Sequence, residues 1–229
     1  MSTETPPSGR DSATAAKLQI LATEHWSLLA TRSLTYTEAL GRVTIFLAIL
    51  SGAVIALALV AQADRFGTTF IAIAIPLLSI VLFAGIATIS RLSMLNRDDY
   101  RWVVGMNRLR HAYIELHPEL EPHFITSPFD DLHGALRTLG IDEMAPGPGP
   151  NSLMHLIQTL PGMLTVIVAA VGGAIGALAA IALAMPPLGA VLVAAASFVV
   201  VVALVGIWGQ RTTYQPSPSL EPRFPTPSQ

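Results

Sequence analysis

The chain has 229 residues, 52% of them hydrophobic and only 12% charged, with a mean hydropathy of +0.58. Soluble domains carry about 25% charged residues, so this composition argues against a soluble globular protein. A net charge of −2 with no dense basic tract gives no basis for nucleic-acid binding, and the absence of cysteine excludes disulfides, iron–sulfur clusters and thiolate zinc sites. The remaining charge is gathered into blocks. No ionisable side chain lies between Arg42 and Asp64, between Arg65 and Arg91, or, His155 apart, between Glu143 and Arg211. Gaps of that size match the roughly 20 apolar residues that a bilayer-spanning helix needs.

In chain order, residues 1–11 read as a disordered, Pro-containing arm, and Asp11 or Ser12 as the cap of a first helix. Apolar positions then recur at Leu18, Leu21, His25 and Leu28. A second row beside them runs through Ala22, Trp26, Leu29, Ser33, Tyr36 and Leu40. Steps of three and four define a helix face, which continues without a breaker into a span over 43–62. The first apolar run starts so far into the chain that a cleaved signal peptide is not expected. A five-residue turn, Ala63 to Gly67, returns the chain into a second span over 68–89, with Pro76 inside it as a kink site. Beyond Arg91 a stripe of Leu92, Leu95, Asp99, Trp102, Met106, Leu109, Tyr113 and Leu116 carries the helix on to Pro118. Residues 12–117 therefore read as a long helical hairpin whose two extensions cover each other's stripes.

Residues 118–162 read as a loop with short helices. Ser127-Pro128-Phe129-Asp130 offers a cap, a first-turn proline and an acid for a helix ending at Gly140. Ala145 to Pro150 is a breaker-rich linker, and a helix restarting at Asn151 or Ser152 would bend at Pro161-Gly162. A second membrane hairpin occupies 163–210, with spans 163–184 and 188–208. Residues 211–229 read as a disordered, Pro-rich tail. The fold class is all-α: a four-helix integral membrane protein with cytoplasmic helical hairpin extensions and a small cytoplasmic helical insertion. Twelve Lys and Arg fall on the side of the termini and central loop against Arg65 on the other. Basic residues resist translocation, so both termini are expected in the cytoplasm and the protein in the bacterial inner (plasma) membrane.

Four arginines, Arg97, Arg101, Arg108 and Arg110, mostly avoid the stripe from Leu92 to Leu116, interleave with aromatic residues and are the candidate site for an anionic ligand or a lipid headgroup. His111, His117, His123 and His133 lie among acidic residues, but His117-Pro118-Glu119-Leu120-Glu121-Pro122-His123 has no metal-ligand spacing. No metal site, catalytic residue or cofactor is therefore expected, and the protein is read as a non-enzyme. Gly172 and Gly176 form a G-x-x-x-G pair, and Gly52 belongs to a weaker small-residue ridge with Ala48 and Ala56. Such residues let helices approach closely, within one bundle or between copies in a homo-oligomer.

The stretch Thr35-Tyr36-Thr37-Glu38-Ala39-Leu40-Gly41-Arg42 through Asn107-Arg108-Leu109-Arg110-His111-Ala112-Tyr113, with Glu119-Leu120-Glu121-Pro122 after it, resembles uncharacterised multi-pass membrane proteins of GC-rich bacteria. The single lysine, Lys17, against many arginines fits such a source. In layout, residues 12–116 also look like the two-transmembrane effector domains of bacterial antiphage systems. That likeness implies a cytosolic part that senses a nucleotide, while the third and fourth spans depart from it. The functional expectation is a membrane protein whose cytoplasmic hairpin binds a cytosolic partner or senses a ligand. The alternatives are a nucleotide-gated pore-forming effector and a small transporter, the latter disfavoured by spans without charge.

Overall fold

The computed structural model describes residues 9–140, 159–213 and 220–227. Its elements are α1 (Gly9–Asp64), α2 (Thr68–Leu116), a 3-10 turn (Pro118–His123), α3 (Leu132–Thr138), α4 (Leu160–Ala182) and α5 (Pro187–Thr213). Among the described residues there is no strand. The all-α, four-span class holds, because α1, α2, α4 and α5 are each long and apolar enough to cross a membrane. Two compact units emerge: residues 37–96 with 146–215, and residues 1–36 with 97–145 and 216–229. Both α1 and α2 run unbroken through the unit boundaries.

The apolar unit is built around α4. Its Leu164, Val168 and Val171 join Val43, Phe46 and Ala53 of α1 and Leu78, Val81 and Ile89 of α2 in one buried cluster. Glycine permits a close approach at Gly85, where a Cβ would strike Val168 Cγ2 and lie 3.0 Å from the Phe46 ring. Burial is very uneven: 39% of the most apolar window of α4 lies inside the unit, against 6% for α5. The hydroxyls of Thr44, Ser79, Thr88 and Thr165 each donate to the carbonyl four residues earlier, so they need no partner in an apolar surrounding. At the end of the first two spans, the Glu38 carboxylate accepts from Arg42 Nε at 2.8 Å and Arg91 Nε at 2.9 Å. Hydrogen bonds from Arg91, then Arg42, pull its pKa down to about 2. The short turn between α1 and α2 holds Arg65 and Phe66 at positive φ and is tied by Asp64, whose carboxylate accepts the Phe70 amide at 2.7 Å.

In the charged unit the ends of α1 and α2 pair antiparallel. Arg32 reaches Asp99 with two hydrogen bonds of 2.6 and 3.2 Å, the Leu28 side chain lies over Gly105, and the His25 ring faces Tyr113 with centroids 6.0 Å apart. The sequence stripe beginning Leu18, Leu21, His25 and Leu28 is thus the inward one, while Trp26, Leu29, Tyr36 and Leu40 of the second row are exposed.

Several boundaries differ from the expectation. Helix α1 begins at Gly9, ahead of the expected cap at Asp11 or Ser12. Helix α3 begins four residues later than a cap at Ser127 predicts, because Asp131 and not Ser127 caps it, its carboxylate accepting the Gly134 amide at 2.8 Å. The Ser127 hydroxyl is spent on the Phe129 amide. Pro161 does not bend a longer helix. Thr159, in an extended conformation, caps α4, and Pro161 sits in its first turn, where a proline removes no helical hydrogen bond. The expected linker at 145–150, the helix start at Asn151 or Ser152 and the arm at 1–8 lie outside the described residues. Within 211–229, read as a disordered tail, the described residues differ: α5 runs to Thr213 and residues 220–227 are fixed on the charged unit by hydrogen bonds, while 214–219 and 228–229 lie outside the described residues.

Candidate functional site

Helix α2 from Arg97 to Tyr113 carries the polar side chains of interest, and helical periodicity divides them. Arg97, Arg101 and Arg108, at steps of four and seven, share one side of α2. Arg110 follows Asp99, Val103 and Met106 at steps of four and three and sits among the buried positions. The four arginines expected as one cluster therefore do not form one, and Arg110 does not avoid the apolar stripe.

Each meets a different environment. Arg101 pairs at the surface with Asp98, at 3.4 Å. Arg108 donates from Nε to Asp130 at 2.6 Å and from Nη2 to the Glu221 carbonyl at 2.8 Å. Arg97 has a buried Nε with no hydrogen-bond partner, and Trp102 Nε1 is in the same condition among the described residues. Arg110, only 7% exposed, donates to Asn107 Oδ1 at 2.6 Å. That oxygen is neutral, so the guanidinium is buried with no carboxylate against it among the described residues. Burial first, and the Arg32 charge second, lower its pKa from the guanidinium range. Burial and the Arg110 charge likewise lower that of His25.

Asn107 is wholly buried. Its Oδ1 also accepts from the Thr138 hydroxyl at 3.0 Å, and its amide donates to the Phe129 carbonyl at 2.7 Å. It thereby fastens α2 to the 124–139 segment. Asp130 is buried too. Burial alone would raise its pKa, but the Arg223 amide, the Arg108 guanidinium and the Phe224 amide outweigh that and hold it below the ordinary carboxylate range.

The sequence reading did not single out Asn107, Asp131, Phe224 or Thr226. A signal for two of them exists: Leu120-Glu121-Pro122-His123-Phe124-Ile125-Thr126 returns as Leu220-Glu221-Pro222-Arg223-Phe224-Pro225-Thr226. The histidines pair locally, His117 with Glu119 at 2.9 Å and His111 with Glu115 at 3.8 Å, and no group of three metal-ligating side chains converges among the described residues. A surface cavity of about 460 Å³ beside Leu21 and Leu109, and one of about 180 Å³ beside Phe124 and Arg137, take in none of the four arginines.

Gly172 and Gly176 lie in the α4–α5 contact within the chain. A Cβ on Gly172 would sit 2.7 Å from Val201 Cγ2, and one on Gly176 would collide with Ser197. Gly52 has nothing within 4 Å of such an atom. Comparison of the chain with family models, with curated proteins and with solved structures finds no match.

Proposed function

We propose that the chain is a non-enzymatic inner-membrane protein whose α1–α2 extension, on the cytoplasmic side, senses an anionic ligand or binds a partner that presents one. The observation that carries this reading is the surplus of buried donors on α2. Arg97 Nε and Trp102 Nε1 lack acceptors, and Arg110 has a neutral one. Buried polar groups are ordinarily satisfied, and a buried cation without a counter-charge is costly. What relieves each of them is an acceptor or a negative charge, and since Arg97 and Arg110 lie on different sides of α2 a single anion meets one of them at a time. A nucleotide phosphate suits either guanidinium. Helices α1 and α2 each contribute to both units, so a ligand that alters their pairing also acts on helices that enter the spans. This favours, as a second reading, a nucleotide-gated pore formed by several copies, as in the layout of two-transmembrane effectors. The apolar faces that α5 leaves uncovered are available to lipid or to such copies.

The test is a titration of the detergent-purified chain with linear and cyclic nucleotides, inorganic phosphate and phosphatidylglycerol nanodiscs, read by tryptophan emission in a Trp26→Phe, Trp208→Phe background that isolates Trp102. A nucleotide is expected to shift the emission, with the midpoint weakened at least tenfold by Arg97→Ala with Arg110→Ala. Silence to every anion would return these arginines to a purely architectural role.

A further inference from the structure

The repeated sequence points to a site unconnected with the unpaired donors. Both copies lie in the charged unit and both place their phenylalanine on the last turns of α2: Phe124 on Tyr113, with centroids 6.5 Å apart, and Phe224 on His111, at 3.9 Å and nearly parallel. The second copy is held along its whole length. Leu220 packs against Val103, Val104 and Ala135. The buried Asp130 carboxylate accepts the amides of Arg223 and Phe224 at 2.9 and 2.8 Å, while the Asp130 amide donates back to the Phe224 carbonyl at 3.1 Å. Asp131 accepts both the amide and the hydroxyl of Thr226, at 3.2 and 2.9 Å.

The placement of the prolines is informative. Pro222, Pro225 and Pro227 have no amide hydrogen, and the three residues between them, Arg223, Phe224 and Thr226, each give theirs to an aspartate. No backbone donor from Pro222 to Pro227 is left over, and prolines limit the conformational freedom lost on docking. Main-chain hydrogen bonds combined with side-chain pockets are the means by which grooves recognise extended peptides.

We propose that the surface formed by His111, Val104, Arg108, Asp130, Asp131 and Ala135 is a binding groove for an extended Leu-x-Pro-x-Phe-x-Thr peptide. The chain's own residues 220–227 occupy it in cis as a releasable latch. Tethering gives the tail an effective concentration on the order of millimolar, so a free peptide of the same pattern competes poorly until the tail is weakened.

The experiment uses the full chain in detergent and a fluorescein-labelled peptide of residues 219–229. The Phe224→Ala chain is expected to bind the peptide at least tenfold more tightly than the wild-type chain, and a peptide carrying Ala for both Phe and Thr is expected not to bind it. In parallel, trypsin cleavage after Arg223 is expected to be at least fivefold faster in Phe224→Ala and in Thr226→Ala than in wild type. Unchanged far-UV circular dichroism and elution volume identify the folded variants, and two tail variants guard against one misfolding. A folded Phe224→Ala chain that ignores the wild-type peptide overturns the groove. Equal cleavage in all chains overturns the latch. Protection that disappears on dilution assigns the seat to the tail of a second copy and overturns the cis arrangement.

Discussion

Asp130 shows most clearly how a single side chain organises the charged unit. Its carboxylate is fully desolvated, yet two amides and a guanidinium favour the ionised form more strongly than burial disfavours it. Hydrogen bonds to a charged group are worth about 1.5–3 kcal/mol each, so Asp130→Asn should loosen residues 220–227. The expected result is faster trypsin cleavage after Arg223, with the helical circular dichroism retained. The same linkage sets a pH dependence. Asp130 and Asp131 both have docked pKa values below the usual carboxylate range, and each loses its tail donors on release. Docking is therefore fully present at and above that range and is lost as pH falls through the depressed docked values. Arg108, Tyr100 and His111 on α2, His133 on α3 and Arg223 on the tail are the other charged or titratable groups around the pair. A tail spin label should gain mobility only below the ordinary carboxylate range; release beginning near neutrality would contradict control by Asp130 and Asp131. None of this was legible locally. The Ser127-Pro128-Phe129-Asp130 pattern satisfies a cap rule in sequence, and the partners that draw Asp130 out of a helix lie more than 90 residues away.

At the scale of elements, the pairing of α1 with α2 was readable because helical periodicity is a local property. Leu18, Leu21, His25 and Leu28 on one helix and Asp99, Met106 and Tyr113 on the other fall on inward stripes by spacing alone. The choice between the two adjacent rows of α1 was not readable, since Trp26 and Leu29 are as apolar as the half-buried residues of the inward row. Arg110 was misplaced for a related reason: a charge on an apolar stripe is read as pointing away from it. Its position predicts a trade-off. Arg110→Met removes a buried, uncompensated cation and should stabilise the unit by about 1 kcal/mol or more in thermal unfolding, while weakening any response to anions. Destabilisation on this change would mean that Asn107 and the surrounding dipoles already satisfy the guanidinium. On α4, Gly176→Leu forces a side chain into Ser197 and the Val193 carbonyl. Overpacking of this kind costs about 1–3 kcal/mol, to be read as a lowered unfolding midpoint, whereas Gly52→Leu, facing open space, should leave it unchanged.

For the whole molecule, the four spans were legible because a bilayer imposes length and charge constraints that a sequence displays directly. The docked tail was not, because proline-rich composition signals the absence of regular structure and says nothing about contacts made elsewhere. Sensing of a cytoplasmic ligand requires the hairpin with its buried donors and latch to lie on the cytoplasmic side. With no cysteine in the chain, a single introduced cysteine reports its own side without background. Arg65→Cys, Arg137→Cys and Ser228→Cys are to be treated in intact cells with a membrane-impermeant maleimide, before and after permeabilisation. The predicted result is labelling at position 65 in intact cells, and at 137 and 228 only once the membrane is opened. Labelling at 137 from outside, with 65 protected, would contradict the orientation and with it the proposal that the hairpin senses a cytoplasmic ligand.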